Sequence, residues 1–118
     1  VDEDRGDLDY HHTLIQGQGY NVWARGSYEE GVRCLQSEAF DLVIVSQGGP
    51  SFEGRCVLER AVEINRRLRV LVLTRCHDMR CYLEAMQLGA VDYLEKPLTV
   101  SEVVRVLETH LWPRRAAA

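Results

Sequence analysis

Lysine is almost absent from this chain. Of its 14 basic residues, Lys96 is the only lysine and the others are all arginine. Surfaces ordinarily use both cations, so a lone lysine indicates either a position that arginine cannot fill or an accident of codon usage. The 18 acidic residues outnumber the basic ones and give a net charge of −4. This balance argues against a surface that binds nucleic acid.

Long apolar runs are also absent. No run approaches the roughly 18 residues that a membrane-spanning helix needs, and no charged-then-apolar start resembles a signal peptide. The sequence therefore predicts a protein that neither enters nor crosses a membrane. It contains four cysteines but no CxxC pair, so we expect reduced thiols and a cytoplasmic location.

The cysteines do not indicate a metal site. Cys76, His77 and Cys81 are close in sequence, but their spacing fits no standard zinc pattern. Cys34 and Cys56 lie on the apolar stripes of predicted helices, and we expect both to be small core residues.

No internal repeat, low-complexity tract or linker divides the chain. At 118 residues it is long enough for one hydrophobic core and no more. We assign the domain to residues 1–111. The composition changes over residues 112–118, which we interpret as a C-terminal tail or the start of a linker.

Short apolar blocks alternate with amphipathic segments along the whole chain. This alternation is typical of strands separated by crossover helices in a parallel sheet. The strand candidates are residues 20–24, 42–45, 70–73 and 91–94. The second and third are continuous apolar runs, which are typical of strands covered on both faces.

Amphipathic segments predict five helices, at about residues 7–16, 27–37, 58–64, 78–89 and 99–111. Ser27 and Thr99 each precede a glutamate by three positions and predict capping boxes. Asp78 is a candidate N-cap, and Gly89 is a candidate C-cap. The predicted apolar stripes are Leu8, Leu14 and Ile15 in the first helix, Leu83, Met86 and Leu88 in the fourth, and Val100, Val103, Val104 and Leu107 in the fifth. The neighbouring His11 and His12 could pair with the acidic cluster, but we expect them at the surface.

Polar residues follow each apolar run at the point where the strand ends. They are an acidic cluster after Val1, Ser46, Thr74, and Lys96 before Pro97. Ligands of an open parallel sheet gather outside the carboxyl ends of its strands. If Val1 ends a strand, the carboxylates, the two hydroxyls and the lone lysine are therefore expected to converge on one pocket.

In their order and spacing these residues resemble the receiver domains of bacterial two-component response regulators, over essentially the whole chain. The matching segments are Val1-Asp2-Glu3-Asp4, residues 40–45, Pro50 with Gly54, Thr74, and residues 89–97 (GAVDYLEKP). The resemblance implies a flavodoxin-like α/β fold, with a doubly wound five-stranded parallel sheet and five flanking helices. Because little precedes the acidic cluster, we expect the first strand to be mostly missing and the natural N-terminus to lie upstream.

The resemblance also implies roles for individual residues. Asp2 and Glu3 match the acidic pair that holds Mg²⁺ in this family. Thr74 and Lys96 match the groups that bind the phosphoryl oxygens, and the peptide before Pro97 is typically cis. Tyr93 matches the aromatic switch, which points inward or outward in the two states of a receiver.

Ser46 departs from the family pattern, because it occupies the position of the phosphorylated aspartate. A serine hydroxyl is a weak nucleophile unless an adjacent base takes its proton. Ser46 also removes a direct Mg²⁺ ligand, and a hard cation prefers several oxygen ligands. We therefore expect weak or absent metal binding and no cofactor.

Arg75 is a second departure, since the family usually has a small residue after the hydroxyl. Two readings stay open. Arg75 turns inward and substitutes for the divalent cation beside Asp2 and Glu3, or it points outward as an ordinary surface residue.

The sequence therefore predicts a degenerate receiver domain, not an enzyme, that acts in phosphorelay signalling as a phosphorylation-independent regulatory and interaction module. The alternative is a receiver still phosphorylated, on Ser46; a flavin-binding flavodoxin is disfavoured because the strand ends lack a hydroxyl-rich phosphate loop. Expected partners are an output domain, a histidine kinase or a second copy, through the face of the fourth helix, fifth strand and fifth helix. Charged and polar candidates on that face are Arg80, Glu84, Gln87, Glu95, Arg105 and Glu108.

Overall fold

The computed structural model describes residues 1–111. Its helices are α1 (Arg5–Gln16), α2 (Tyr28–Ser37), α3 (Arg55–Ile64), α4 (Met79–Leu88) and α5 (Val100–His110). The five predicted helices are thus confirmed, with boundaries shifted by a few residues. The predicted tail at 112–118 lies outside the described residues. Within residues 1–111, no helix is both long and apolar enough to span a membrane.

Side-chain caps set the starts of most helices. The side chains of Asp4, Ser27, Asp78 and Thr99 each accept a hydrogen bond from a backbone amide in the first turn of α1, α2, α4 and α5. These bonds satisfy amides that have no partner within the helix. At the other end of α4, Gly89 adopts a left-handed φ of 110°, which glycine adopts without steric cost.

Three strands form one parallel sheet in the described part of the chain: β1 (Leu42–Ser46), β2 (Arg69–Thr74) and β3 (Asp92–Glu95), in the order β1-β2-β3. Ser46 pairs with Leu73, and Thr74 pairs with Glu95. The polar residues that end these strands therefore share one edge of the sheet.

The two faces of the sheet carry separate apolar cores. On one face, the valines of β1 and β2 pack with buried residues of α2, α3 and α4, among them Leu35, Leu58 and Ala85. On the other face, Leu71 and Leu73 pack with α5 and, at the margin, with α1. Alternation along the strands sends successive side chains to opposite faces. The two strands with continuous apolar runs, β1 and β2, are thus covered on both faces, as predicted.

The strand predicted at residues 20–24 is wrong, because this segment is irregular in the structure. A strand needs a neighbour with which to form a ladder. Here the adjacent chain is residues 1–2, and the Asp2 amide donates to the Arg25 carbonyl at 3.1 Å. On its other side, Val1 donates to Ile44 and accepts from Ser46 of β1. A cleft of about 700 Å³ lies between residues 20–24 and β1.

The predicted apolar stripe of α4 is wrong at two of its three positions. Leu83 is 51% exposed and Met86 is 36% exposed, whereas the buried residues of α4 are Cys81 and Ala85. Leu88 packs against the core as predicted, as does Tyr82. The fully buried contacts of the helix are thus made by small residues.

Similar corrections apply to α5 and α3. In α5, Val100 is 55% exposed and Val106 takes a place in the core. In α3, Cys56 is exposed and is not the core residue that was predicted, while Cys34 of α2 is half-buried. The predicted α5 stripe is otherwise confirmed at Val103 and Leu107, which are both buried.

Candidate functional site

Lys96 lies at the centre of a buried polar cluster at the carboxyl edge of the sheet. It follows β3 directly, and its side chain is 5% exposed. The ammonium contacts Asp2 Oδ2 at 2.8 Å, Ser46 Oγ at 2.9 Å and Asp7 Oδ2 at 3.0 Å. The first two contacts are hydrogen bonds and the third is an ion pair without hydrogen-bond alignment, so two of the three N–H donors of the ammonium are engaged.

Asp2 holds a fixed position in this cluster. Its Oδ2 atom pairs with Lys96, and its Oδ1 atom accepts a hydrogen bond from the Asp4 amide at 2.9 Å. Its backbone amide bonds the Arg25 carbonyl at 3.1 Å. Asp2 is buried, with 7% of its surface exposed. The predicted convergence of Asp2, Ser46 and Lys96 is therefore present in the structure.

Ser46 is the last residue of β1 and is buried. Its hydroxyl accepts from the Lys96 ammonium, and the Gly48 amide lies 3.4 Å from the same oxygen. The Tyr28 hydroxyl donates a buried hydrogen bond to the Ser46 backbone carbonyl at 3.2 Å. Burial raises the pKa of Tyr28 to about 12. Tyr28 was not among the predicted site residues.

Asp7, which sequence reasoning also missed, joins the cluster from the first turn of α1. Besides Lys96, its carboxylate contacts Arg75 Nη2 at 2.9 Å. A signal for it existed, since helix α1 begins right after the acidic cluster and residue 7 lies one turn from Asp4. Residues three apart on a helix are neighbours.

Arg75 turns toward the acidic cluster, but it pairs with Asp4 and Asp7 and not with the predicted Asp2 and Glu3. Its Nη2 atom is 3.0 Å from Asp4 Oδ2. The hydrogen bond from the Asp7 amide, and then Arg75, lower the pKa of Asp4. Asp7 and Asp4 raise the pKa of Arg75. The Arg75 side chain is 63% exposed, so it forms these ion pairs at the protein surface.

Glu3 and Thr74 lie apart from this centre. Glu3 is exposed. The Thr74 hydroxyl donates to the Cys76 carbonyl at 2.9 Å and accepts from the Cys76 amide at 3.2 Å. The structure thus places Thr74 at the predicted strand end, with its hydroxyl bonded to the loop that follows.

Tyr93 of β3 points inward and is 4% exposed. Its hydroxyl donates to Gln47 Oε1, and it accepts from the Asp78 amide at 3.3 Å. Burial raises the pKa of the phenol. The rings of His77 and Tyr82 pack edge-on against it, with centroids 5.1 and 5.7 Å away. Neither Gln47 nor these rings had been assigned a role from the sequence.

A buried histidine fixes the loop that follows Lys96. The peptide before Pro97 is cis, as the resemblance implies. His11 Nε2 accepts from the Leu98 amide at 3.1 Å, and His11 Nδ1 is 2.8 Å from the Asp7 carbonyl. Because Nε2 is the acceptor, Nδ1 carries the proton and donates to that carbonyl. The expected surface location of His11 is wrong, since its exposed fraction is 6%.

Sequence comparison gives a family match that covers nearly the whole chain. The model described as "Response regulator receiver domain" matches residues 1–108. The transcriptional regulatory protein ZraR of Escherichia coli (strain K12) is 30% identical over 111 residues. That alignment covers 94% of this chain but 25% of ZraR, so the chain spans about a quarter of this curated relative.

Comparison with solved structures confirms the predicted flavodoxin-like α/β fold. A receiver domain protein (CheY-like) from Methanospirillum hungatei JF-1 is similar with a TM-score of 0.88 at 22% identity, covering 100% of this chain and 94% of that one. A response regulator from Burkholderia pseudomallei, solved with a phosphorylated aspartic acid, calcium and citrate, gives a TM-score of 0.76 at 24% identity, covering 98% and 68%. At these identities the likeness concerns the fold alone.

Proposed function

Because the chain belongs to the response regulator receiver domain family, we propose that it acts in two-component signalling as a regulatory and interaction module that is independent of phosphorylation. The observation that carries this proposal is the engagement of Lys96. Its ammonium is buried and already paired with Asp2, Asp7 and Ser46. A receiver that cycles through phosphorylation needs this lysine for the incoming phosphoryl group.

We place Ser46 at the phosphoacceptor position, because it ends β1 and contacts Lys96. Its hydroxyl accepts from a cation, which lowers the electron density available for attack. Activation of a serine needs an adjacent base that removes its proton. Within residues 1–111, the recorded partners of the hydroxyl are the donors Lys96 and Gly48. This arrangement favours an unreactive serine.

The oxygen ligands of the pocket do not suit a resident Mg²⁺. A hard dication needs several free oxygen atoms in near-octahedral geometry. Both carboxylate oxygens of Asp2 are engaged by donors, and Asp7 lies between two cations. Glu3 is exposed. We therefore propose that Lys96 and Arg75 take the place of a metal ion beside the pocket carboxylates, and that metal binding is weak or absent.

The inward position of Tyr93 supports a conformation that is set without phosphate. In this family an inward aromatic is one of the two switch signatures. Here the Tyr93 hydroxyl donates a hydrogen bond to Gln47, which lies in the loop after β1. The Asp78 amide donates a hydrogen bond to the Tyr93 hydroxyl oxygen. Both partners belong to the protein itself, so the inward position needs no ligand.

We propose that protein partners bind the face formed by α4, β3 and α5. Large apolar side chains stand exposed on it, namely Met79, Leu83 and Met86 of α4 and Val100 of α5. Of the charged candidates predicted for this face, Arg80, Glu95, Arg105 and Glu108 are exposed as well. Glu84 is only partly exposed, because it pairs with Arg55 of α3. An apolar centre with a charged rim is typical of a protein interface. The four free thiols favour a reducing compartment such as the cytoplasm.

Treatment with a small phosphodonor and Mg²⁺, followed by intact mass measurement, tests the proposal. We expect the mass of the wild-type protein to stay unchanged. A stable gain of one phosphate that is lost in a Ser46→Ala variant would establish the alternative, a receiver phosphorylated on Ser46. A gain that persists in Ser46→Ala would mean that another residue accepts the phosphate, which also contradicts independence from phosphorylation.

A further inference from the structure

The Asp7 carboxylate lies between the two cations of the pocket. Its Oδ2 atom is 3.0 Å from Lys96 Nζ and 2.9 Å from Arg75 Nη2. This oxygen is buried, and among the described residues it makes no contact with the alignment of a hydrogen bond. Attraction between opposite charges therefore holds it, and at these separations that attraction is strong where water is excluded.

The position of Asp7 is the one that an anion would need. Lys96 has three N–H donors, two of which are directed to Asp2 and Ser46. Asp7 Oδ2 lies 3.0 Å from the same ammonium, outside the alignment of a hydrogen bond, and 2.9 Å from Arg75 Nη2. A phosphate oxygen bound by both cations would have to occupy the same place and would be repelled by the carboxylate already there.

We propose that Asp7 is the pocket's own anion: from helix α1 it fills the place between Lys96 and Arg75 and so closes the pocket to phosphate. The inference rests on the proposed function and deepens it, because it names the group that excludes the ligand. Ser46 explains why no acyl phosphate forms. Asp7 explains why the two cations, although both are present, bind no external anion.

Removal of the Asp7 charge should open an anion site. In Asp7→Asn the side chain keeps its size, but the repulsion disappears and one donor of Lys96 becomes available. Asp9→Asn is the matched control, because it makes the same change in the same helix at an exposed residue whose partner is Arg5 at 3.9 Å.

Inorganic phosphate is the probe, and amide chemical shifts in ¹H–¹⁵N spectra at neutral pH are the readout. In Asp7→Asn we expect saturable shifts at residues 74–75 and 96, with an affinity at least about tenfold higher than that of the wild type. Asp9→Asn should behave like the wild type. A merely structural role of Asp7 would change stability without creating a phosphate site.

Two further variants keep the inference testable if Asp7→Asn folds poorly. Asp7→Ser removes the charge with a small polar residue and should also bind phosphate. Asp7→Glu keeps a carboxylate and should restore the exclusion. Folded Asp7→Asn and Asp7→Ser proteins that do not bind phosphate would overturn the role of Asp7, as would wild-type binding of equal affinity. Neither result alters the phosphodonor test, so failure of this inference is distinguishable from failure of the proposed function.

Discussion

Lys96 shows how one residue type can be reserved for one task. Arginine supplies every other cation of the chain, but the buried site at the end of β3 holds an ammonium among three oxygen atoms. A guanidinium is a planar fork with five donors, whereas an ammonium is a compact point charge with three. Three neighbouring oxygen atoms match the three donors of an ammonium more closely than the five donors of a guanidinium.

Replacement of Lys96 by alanine should destabilise the protein by about 3 kcal/mol, because it leaves the buried Asp2 without its counterion. The free energy of unfolding, measured in urea by circular dichroism, checks this expectation. Arg105→Ala, which removes an exposed cation, is the control and should change stability by less than about 0.5 kcal/mol. Equal stability of Lys96→Ala and wild type would show that Lys96 is not a structural ion.

The pH dependence of stability should reveal His11. Burial lowers the pKa of His11 below its ordinary value of 6.5, although Asp7, Asp2 and the Asp7 carbonyl favour the charged form and Lys96 opposes it. Between the lower pKa of the folded state and the ordinary value of 6.5, the unfolded chain therefore binds more protons than the folded one. The stabilisation is present above pH 6.5 and is lost as the pH falls through the lower, folded-state pKa.

His11→Gln isolates this effect, because glutamine keeps an acceptor but does not titrate. Burial also lowers the pKa of His110, which therefore titrates in the same range. The difference between the wild-type and His11→Gln stability curves cancels its contribution. A difference that stays constant from neutral pH to acid would contradict a neutral, buried His11.

The sequence predicted some site residues and missed others, for reasons visible in the structure. Asp2, Ser46 and Lys96 follow apolar runs, so strand-end reasoning places them together. His11 lies three residues after Leu8 and four before Ile15, and this helical spacing already indicates the buried face. Asp7 follows no apolar run, and its position one turn after Asp4 is its only sequence signal, because its contacts depend on how α1 is oriented over the strand ends.

At the scale of elements, the loop after β1 depends on a close approach between two backbone segments. Gly54 donates to the Gln47 carbonyl at 3.0 Å, and a Cβ atom added at Gly54 would lie 2.1 Å from the Ser46 carbonyl oxygen. This oxygen belongs to the backbone of β1 and cannot rotate away. The Pro-x-x-x-Gly spacing that marked this loop in the sequence thus has a steric basis at its glycine.

Gly54→Ala should therefore destabilise the protein by about 2 kcal/mol, because the loop must shift to admit the methyl group. The measurement is the urea midpoint with an unchanged m-value. Gly26→Ala is the control, since its added Cβ has nothing nearer than Leu8 Cδ2 at 4.0 Å. Similar midpoints for the two variants would refute the steric explanation.

Caps and apolar runs predicted where most helices and strands begin and end. They did not predict which neighbours a segment pairs with or which face of a helix is buried. Ser27, Asp78 and Thr99 each begin a helix where local chemistry predicts one. The segment at residues 20–24 has the composition of a strand, yet its state depends on what pairs beside it. The orientation of α4 depends on tertiary packing of Cys81 and Ala85, which periodicity of large apolar residues does not reveal.

At the scale of the whole molecule, α4 exposes three large apolar side chains, those of Met79, Leu83 and Met86, on the proposed interaction face. Leu83 lies near its centre and is half exposed, with Met79 at 63% exposure beside the start of the helix. If a second copy covers this face, the sedimentation coefficient of the wild type should rise with protein concentration. Leu83→Glu should abolish this rise, because it introduces a charge at the contact.

The control for this prediction is Ile64→Glu, which changes an exposed apolar residue at the end of α3. It should self-associate like the wild type. A wild-type protein that sediments as a monomer at every concentration would contradict homodimerisation and leave the output domain or the kinase as the occupant of this face.

A Mg²⁺ titration of the wild-type protein, followed by amide shifts in ¹H–¹⁵N spectra, most directly tests whether the protein's own cations take the place of a metal ion in the pocket. A titration with sodium chloride of matched ionic strength corrects for screening. We predict no saturable shift at Asp2, Ser46 or Lys96, because their oxygen and nitrogen atoms already pair with one another. Saturable shifts at these three residues would contradict a receiver in which Lys96 and Arg75 take the place of the metal.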